Sequence, residues 1–381
     1  MKILHLIIDH QVVERTLGIY EKLFPNQNSV IVFGQSSQYK HLEKYSEALF
    51  VGFGKGIMEG QSYDFCGVTH VIAHYLTMDM IDFIKSVPDN VHVCWEVYGA
   101  DLYNQFLQPN GMKLYYTDPR KYEKYAFLRS NFPKLFAWML ERKGYKYKTD
   151  KHRNQQFRYI SDRVNSIQYC CKYDATFIEE YANRHIPSYE IFNYSLKTVL
   201  GELADSPFSS GEDVLVGNSA SYSNNHFYVL KLLKEKKLSP PSHFILPLSY
   251  GGVKAYADDV ETAFNSSFPG QIETFRDYIP LHEYNKTFLR LKSMILSAWR
   301  QESQGTAIMG FYMGIKVYMS ERSPLYKWFK DCGFVVFALE DADQSSFEEP
   351  LPSDYQLHNR NLVITRYNED AFETTLRKHF C

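Results

Sequence analysis

Three carboxylates and a few small-residue turns carry the chemistry this sequence offers. Asp9, Glu96 and Asp101 each close or follow a short apolar run. A carboxylate placed there can take a proton from an attacking hydroxyl. The first turn is Gly217-Asn218-Ser219-Ala220, set between the apolar run Val214-Leu215-Val216 and a segment with Phe227, Leu230 and Leu233 at helical spacing. A strand that ends in small residues and feeds a helix offers backbone N–H groups at the helix's positive end, where phosphate binds readily. Asn224 or Asn225 suits the N-cap of that helix. A second polar turn, Arg300 through Thr306, precedes another helix, and Ser323-Pro324 starts a third with proline in its first turn. Other spacings carry less. Gly52-x-Gly54-x-Gly56 lacks the spacing of a dinucleotide fingerprint and reads as a loop. His70 and His74 fall on one strand, about 13 Å apart, too far to share a metal. Asp341-x-Asp343 has the spacing of a cation-holding pair, but it opens an acidic stretch and reads as a solvated loop. No metal or other cofactor is expected.

The elements that must position these residues alternate between strand and helix. Apolar runs at 2–8, 29–33, 49–53, 68–74 and 91–96 are separated by helix-like segments such as 13–23 and 78–86. The same alternation returns from 158 to 181. After a small, polar stretch at 201–212 it resumes with strands at 214–216, 242–248, 272–275, 294–298, 316–319 and 334–339. Such alternation predicts an α/β fold with parallel, doubly wound sheets, whose ligands sit beyond the carboxyl ends of the strands. At 381 residues, two domains are the natural expectation. They are placed at 1–200 and 213–365, followed by a C-terminal helix at 366–381 that returns to the first domain.

Charge is unevenly spread. The chain carries a formal −2, yet between Lys113 and Arg158 thirteen Lys and Arg face four acids, a local +9. Phe132, Leu135, Phe136, Met139 and Leu140 form an apolar stripe there, beside Lys134, Arg142 and Lys143. Basic residues mixed with aromatics fit an anionic surface, and basic flanks beside an apolar stripe suit an interfacial helix. The frame of an RNA-reading module is missing, so nucleic acid is not the expected partner. Six cysteines in no disulfide or zinc spacing, an N-terminal apolar run too short for a signal peptide, and no run long enough to span a membrane predict a cytoplasmic, soluble or peripheral protein.

Several stretches occur together in a telling order: WEVYGADLY, GNSASYSNNHFYVLKLL, ILPLSYG, RQESQG with GFYMGIKVYM, and SPLYKWFKDCGFVVF. They resemble the bacterial TDP-N-acetylfucosamine:lipid II N-acetylfucosaminyltransferases, the 4-alpha-L-fucosyltransferase-like glycosyltransferase family 56. The resemblance covers most of the chain and is patchy in the first 90 residues and in the basic region. It would put Gln at position 302, where this chain has Glu302. It implies a GT-B fold, two Rossmann-like domains with the active site in the cleft between them. It also implies a dTDP- or UDP-sugar donor, held mainly by the C-terminal half. The implied acceptor is a polyprenyl-diphosphate-linked glycan on the inner face of the plasma membrane.

On that reading the reaction is a metal-independent glycosyl transfer. The departing nucleoside diphosphate gains charge, to be met by the Gly217-Asn218-Ser219 backbone, Arg300 and the Gln304-Gly305-Thr306 helix start. Tyr250 and Asn225 are candidates for base or sugar contacts, and Ser323 joins the donor set. Asp101, Asp9 and Glu96 compete as the base that orients the acceptor hydroxyl, with Asp101 favoured because its loop carries the resemblance. A nucleotide-sugar epimerase on the same architecture, and a non-catalytic protein that binds a nucleotide sugar or a membrane, are the alternatives. Neither a soluble substrate nor an epimerase would need the +9 region.

Overall fold

A computed structural model describes the chain except at residues 10, 35–48, 52–62, 123–131, 133, 136–138, 140–149, 193–195 and 381. The Gly52 to Gly56 run and half of the apolar stripe with its basic flank, namely Phe136, Leu140, Arg142 and Lys143, lie outside the described residues. The chain forms two compact units. One comprises Met1–Met112, Phe127–Tyr194 and Phe372–Cys381; the other comprises Lys113–Ala126 and Ser195–Ala371.

The first unit is built on a parallel sheet in the order β3-β2-β1-β4-β5-β6-β7. Its strands are β1 (Ile3–Ile7), β2 (Asn28–Phe33), β3 (Leu49–Val51), β4 (His70–His74), β5 (His92–Val97), β6 (Ser166–Tyr169) and β7 (Ser188–Glu190). Strands covered on both faces cannot alternate apolar with polar, which is why β1 reads ILHLI and is buried at every position. The helix Gln11–Leu23 covers one face of this sheet. The C-terminal helix Glu369–Phe380 joins it there, placing Phe372, Leu376 and Phe380 in one buried cluster with Ile3, Tyr20, Phe24 and Ile72. Those three positions recur every fourth residue, one stripe of a helix.

The second unit carries a parallel sheet in the order β10-β9-β8-β11-β12-β13. The strands are β8 (Asp213–Val216), β9 (Phe244–Pro247), β10 (Ile272–Phe275), β11 (Leu291–Leu296), β12 (Lys316–Met319) and β13 (Phe337–Ala338). Two expectations shift. The helical spacing read over 280–291 ends as the helix Leu281–Thr287, and β11 begins at Leu291 rather than 294. The strand read at 334–339 pairs only over Phe337 and Ala338. In both units the strand order reverses beside the first strand of the unit, between β1 and β4 and between β8 and β11. Helices leave opposite faces there, and the gap at the carboxyl ends is the general ligand position of doubly wound sheets.

Candidate functional site

The loops that follow β8 and β11 flank the reversal point of the second sheet. Gly217 leaves β8 with φ +71°, and its N–H donates to the Ile295 carbonyl of β11 at 2.9 Å. A Cβ at this position would lie 2.9 Å from His226 Nε2 and 3.0 Å from Asn224 Oδ1, so conformation and space both call for glycine. Asn224 then holds the turn. Its Oδ1 accepts from Asn218 N at 3.2 Å, and its Nδ2 donates to Ser219 Oγ at 3.0 Å and to Ser219 O at 3.2 Å. The loop after β9 closes on the same turn, where Ala220 N donates to the Tyr250 carbonyl at 2.7 Å. Gly252 permits that approach, because a Cβ there would sit 2.0 Å from Ala220 O.

Arg300 follows β11 and is buried. Its Nη2 lies 3.1 Å from Glu302 Oε2 and 3.4 Å from Ser223 Oγ, while its Nε has no partner among the described residues. Glu302 therefore neutralises part of the charge that the Arg300 guanidinium offers. Ser303, with φ 68°, starts the helix Gln304–Tyr312 without a side-chain cap. The first N–H groups of that helix, from Gln304 to Thr306, lack the intrahelical acceptors that later turns have. Asn218 Oδ1, His226 Nε2, Ser297 Oγ and Ser303 Oγ are also buried without hydrogen-bond partners among the described residues. Buried polar atoms in native proteins are nearly always paired, and this group in adjoining segments leaves hydrogen-bonding capacity for a polar ligand or ordered water.

Other sequence candidates fall differently. Asn225 starts the helix His226–Glu235 in the left-handed region, φ 50°, but its side chain does not cap it. Instead Nδ2 donates to Leu114 O at 3.3 Å and to Ser223 O and Ser297 O at 3.1 Å, while Oδ1 accepts from Tyr116 N at 2.8 Å. With its donors and acceptor spent inside the protein, Asn225 ties three segments together and has nothing to offer a sugar. Tyr250 stands 61% exposed beside the β8 turn. Ser323 is buried at the N-cap of the helix Pro324–Asp331 and makes no side-chain cap bond. Asp343 caps the helix Gln344–Glu348, accepting from Ser346 N at 2.7 Å, which accounts for half of the Asp-x-Asp pair.

In the first unit the three carboxylates part company. Asp101, favoured from sequence as the base, is fully buried. Its Oδ2 accepts from Trp95 Nε1 at 2.9 Å and Leu76 N at 3.1 Å, and its Oδ1 accepts from Tyr98 N at 3.0 Å. Burial nevertheless pushes its pKa up to about 6. It staples two loops and presents no free oxygen. Trp95 and Tyr103 are wholly buried as well, so the WEVYGADLY stretch is an inward-packed frame rather than a sugar-binding edge.

Glu96 is also fully buried, with Oε2 2.6 Å from His74 Nδ1. Registered neighbours on adjacent strands point to one face of the sheet, which explains the pairing of His74 with Glu96. His74 Nε2 lies 2.9 Å from His5 Nδ1, and His5 Nε2 lies 3.0 Å from Asn28 Oδ1. Asn28 spends its Nδ2 on Glu21 and the Phe24 carbonyl, so its Oδ1 must accept and His5 carries its proton on Nε2. His5 Nδ1 then accepts from His74 Nε2. Burial and the neighbouring His74 depress His5 to about 3, keeping it neutral. Asp9 differs from both acids: it is half-buried, just past the carboxyl end of β1.

The profile of a protein family described as 4-alpha-L-fucosyltransferase glycosyl transferase group 56 matches residues 143–351, more than half of the chain. The chain belongs to that family. It is a glycosyltransferase, and its two α/β units are those of the GT-B fold. Solved structures agree on the fold. The chain is similar to the Anabaena protein HepE, solved in complex with UDP, with a TM-score of 0.62 and 9% identity over 100% of this chain and 99% of that one. Sucrose-phosphate synthase from Thermosynechococcus elongatus gives 0.60 at 10% identity, covering 100% and 98%. A glycosyltransferase from Rickettsia africae gives 0.56 at 12%, covering 100% and 97%.

For this family 56 glycosyltransferase, His226 and Trp299 escaped the sequence reading. Asn224 was visible as a cap candidate, but its hold on the turn depends on the fold. His226 looked like one more residue of a helix. Its Nδ1 lies 3.1 Å from Tyr256 OH and burial lowers its pKa to about 4, so a neutral imidazole lines the turn.

Proposed function

We propose that this glycosyltransferase moves a deoxyamino sugar from a dTDP- or UDP-linked donor to a polyprenyl-diphosphate-linked glycan, working from the cytoplasmic face of a membrane. The observation that carries the donor half is the group of unpaired buried polar atoms around Gly217 and Arg300 at the reversal point of the second sheet. The donor diphosphate rests against the Gly217-Asn218-Ser219 backbone and the start of the 304–312 helix, with Arg300 meeting the charge that develops on the leaving oxygen. The acceptor oxygen attacks the anomeric carbon, the bond to the diphosphate breaks, and its electrons stay on the departing diphosphate. The acceptor proton goes to Asp9, since Asp101 and Glu96 are sealed into the frame of the first unit.

The acceptor and the sugar rest on the family resemblance carried by the motifs of both halves. The membrane half rests on Phe132 and Leu135, which are 52% and 45% exposed beside the exposed Lys134. No helix among the described residues is long and apolar enough to cross a membrane; the contact proposed is an interfacial one. Vesicles with anionic lipid bind the protein, and replacing Phe132 and Leu135 with serine releases it.

The deciding experiment incubates the enzyme with a panel of nucleotide sugars, with and without membrane lipid extract. Nucleoside diphosphate is released only when the extract is present, and Arg300→Ala lowers kcat/KM about a hundredfold. Isomerised donor without added acceptor would replace this reading with an epimerase.

A further inference from the structure

Trp299 and Arg300 are neighbours in the chain, and their side chains serve different surroundings. Arg300 meets Ser223 and Glu302, whereas Trp299 packs edge-on against Tyr228, ring centroids 5.2 Å apart. Two more cations converge on the Trp299 ring, Arg322 at 4.3 Å and Lys113 Nζ at 5.7 Å from its centroid. Both side chains are exposed, and neither forms an ion pair among the described residues. Like charges brought to one ring repel each other, and a cation–π contact at an exposed site offsets only about 0.5–1 kcal/mol.

The rest of this neighbourhood is donor-rich. The indole N–H of Trp299 is buried without an acceptor among the described residues, and Arg322 lies just before Ser323, the N-cap residue of the helix Pro324–Asp331, which makes no side-chain cap bond. Two of the nearby carboxylates are already engaged, and a third, Glu321, is exposed beside Arg322. Glu340 accepts from Tyr228 OH at 2.9 Å, Ser320 Oγ at 2.6 Å and Glu321 N at 3.0 Å, and Glu302 faces Arg300. Two cations without ion pairs, a spare N–H and a helix start, with Glu340 and Glu302 already spent, make a site for a phosphate-bearing ligand.

We propose that Lys113 and Arg322, stacked on Trp299, form a second phosphate-binding site that takes the diphosphate of the lipid-linked acceptor, apart from the donor diphosphate held by Gly217 and Arg300. The assignment of the ligand rests on the acceptor proposed above; the anionic character of the site does not. It gives the 113–116 segment a role, because Lys113 is carried to Trp299 by the hydrogen bonds of Asn225 to Leu114 and Tyr116. Lys113 and Arg322 are binding residues for the acceptor and take no part in bond breaking.

The test uses the full chain with farnesyl diphosphate, inorganic pyrophosphate, farnesol and UDP as probes, read by calorimetry and tryptophan fluorescence. Farnesyl diphosphate binds in the presence of saturating UDP, and farnesol does not. Lys113→Ala/Arg322→Ala weakens farnesyl diphosphate about tenfold to a hundredfold and raises the KM for lipid acceptor, with UDP affinity unchanged. Arg322→Lys, which keeps the charge, recovers part of the loss. Equal weakening of UDP would assign the cations to the donor and overturn the proposal, as would unchanged farnesyl diphosphate binding in a variant with wild-type unfolding. If pyrophosphate binds through these two residues but no prenyl diphosphate does, the anion site stands and the lipid-linked acceptor is refuted.

Discussion

Replacing Asn225 by aspartate changes one NH2 group into an oxygen, yet it should harm this protein more than truncation to alanine. The native amide donates to three carbonyls, of Leu114, Ser223 and Ser297, and accepts from Tyr116 N. The amide's two N–H groups, shared among three carbonyls, and its one accepted bond amount to three bonds, which alanine forfeits at a net of about 1 kcal/mol each; with about 1 kcal/mol for the left-handed backbone, Asn225→Ala costs about 4 kcal/mol. Asn225→Asp keeps the Tyr116 bond and tolerates the backbone, but it turns an acceptor toward three carbonyls and buries a charge. Its carboxyl pKa must therefore be raised in the folded state. A raised carboxyl pKa means the folded chain holds its proton longer, so stability relative to wild type falls as pH climbs from about 4, by up to about 1.4 kcal/mol per unit. Urea unfolding of the three proteins at pH 5, 6 and 7, with nucleoside diphosphate titrations beside it, reads this directly. Asn225→Asp should lie near Asn225→Ala at pH 5 and below it at pH 7. A variant within about 1 kcal/mol of wild type at pH 7, or a difference from wild type that ignores pH, would refute the account of this hub.

Gly217→Ala combines a positive φ with contacts of 2.9 and 3.0 Å to His226 and Asn224, so it should cost about 2–3 kcal/mol and weaken UDP binding at least tenfold, checked by calorimetry. Glu302→Gln removes the negative charge that faces Arg300, and UDP should bind about fivefold tighter, a gain of about 1 kcal/mol that shrinks with added salt. Acid should destabilise the fold. His5 and His226 sit buried with pKa values of about 3 and about 4, against 6.5 when unfolded, so stability present above 6.5 is lost as pH falls toward those values. Asp101, raised from 3.8 to about 6, works in the opposite sense over that window, so these three groups leave a net loss of about 1 kcal/mol per pH unit between 6 and 4, and His70 and His379, lowered to about 4 and about 3, add to it. An unfolding midpoint that rises on acidification in this range would count against the neutral histidines.

Much of the fold was legible because burial on both faces imposes a local signature. Strands such as β1 and β8 must be continuous apolar runs, and small residues must follow where a chain turns into a helix beneath a sheet. The turn at Gly217, the polar loop from Arg300 and the motifs of family 56 are likewise short-range patterns that survive in one dimension.

Side-chain direction is not a short-range property. Glu96 stands near the end of β5 and Asp101 in the short helix Ala100–Leu102 that follows it, where an acid could equally face solvent or the frame. Three N–H donors from Leu76, Trp95 and Tyr98 turned one inward, and a registered histidine on the neighbouring strand took the other. Asn225 looked like a helix cap and became a junction because segments about a hundred residues apart in sequence meet at its amide. The sequence by itself determined two doubly wound sheets, the glycine turn after β8 and the family. Only the tertiary structure decided which carboxylates are spent on the frame, and that Lys113 and Arg322 stack on one tryptophan, because each depends on partners that no local spacing encodes.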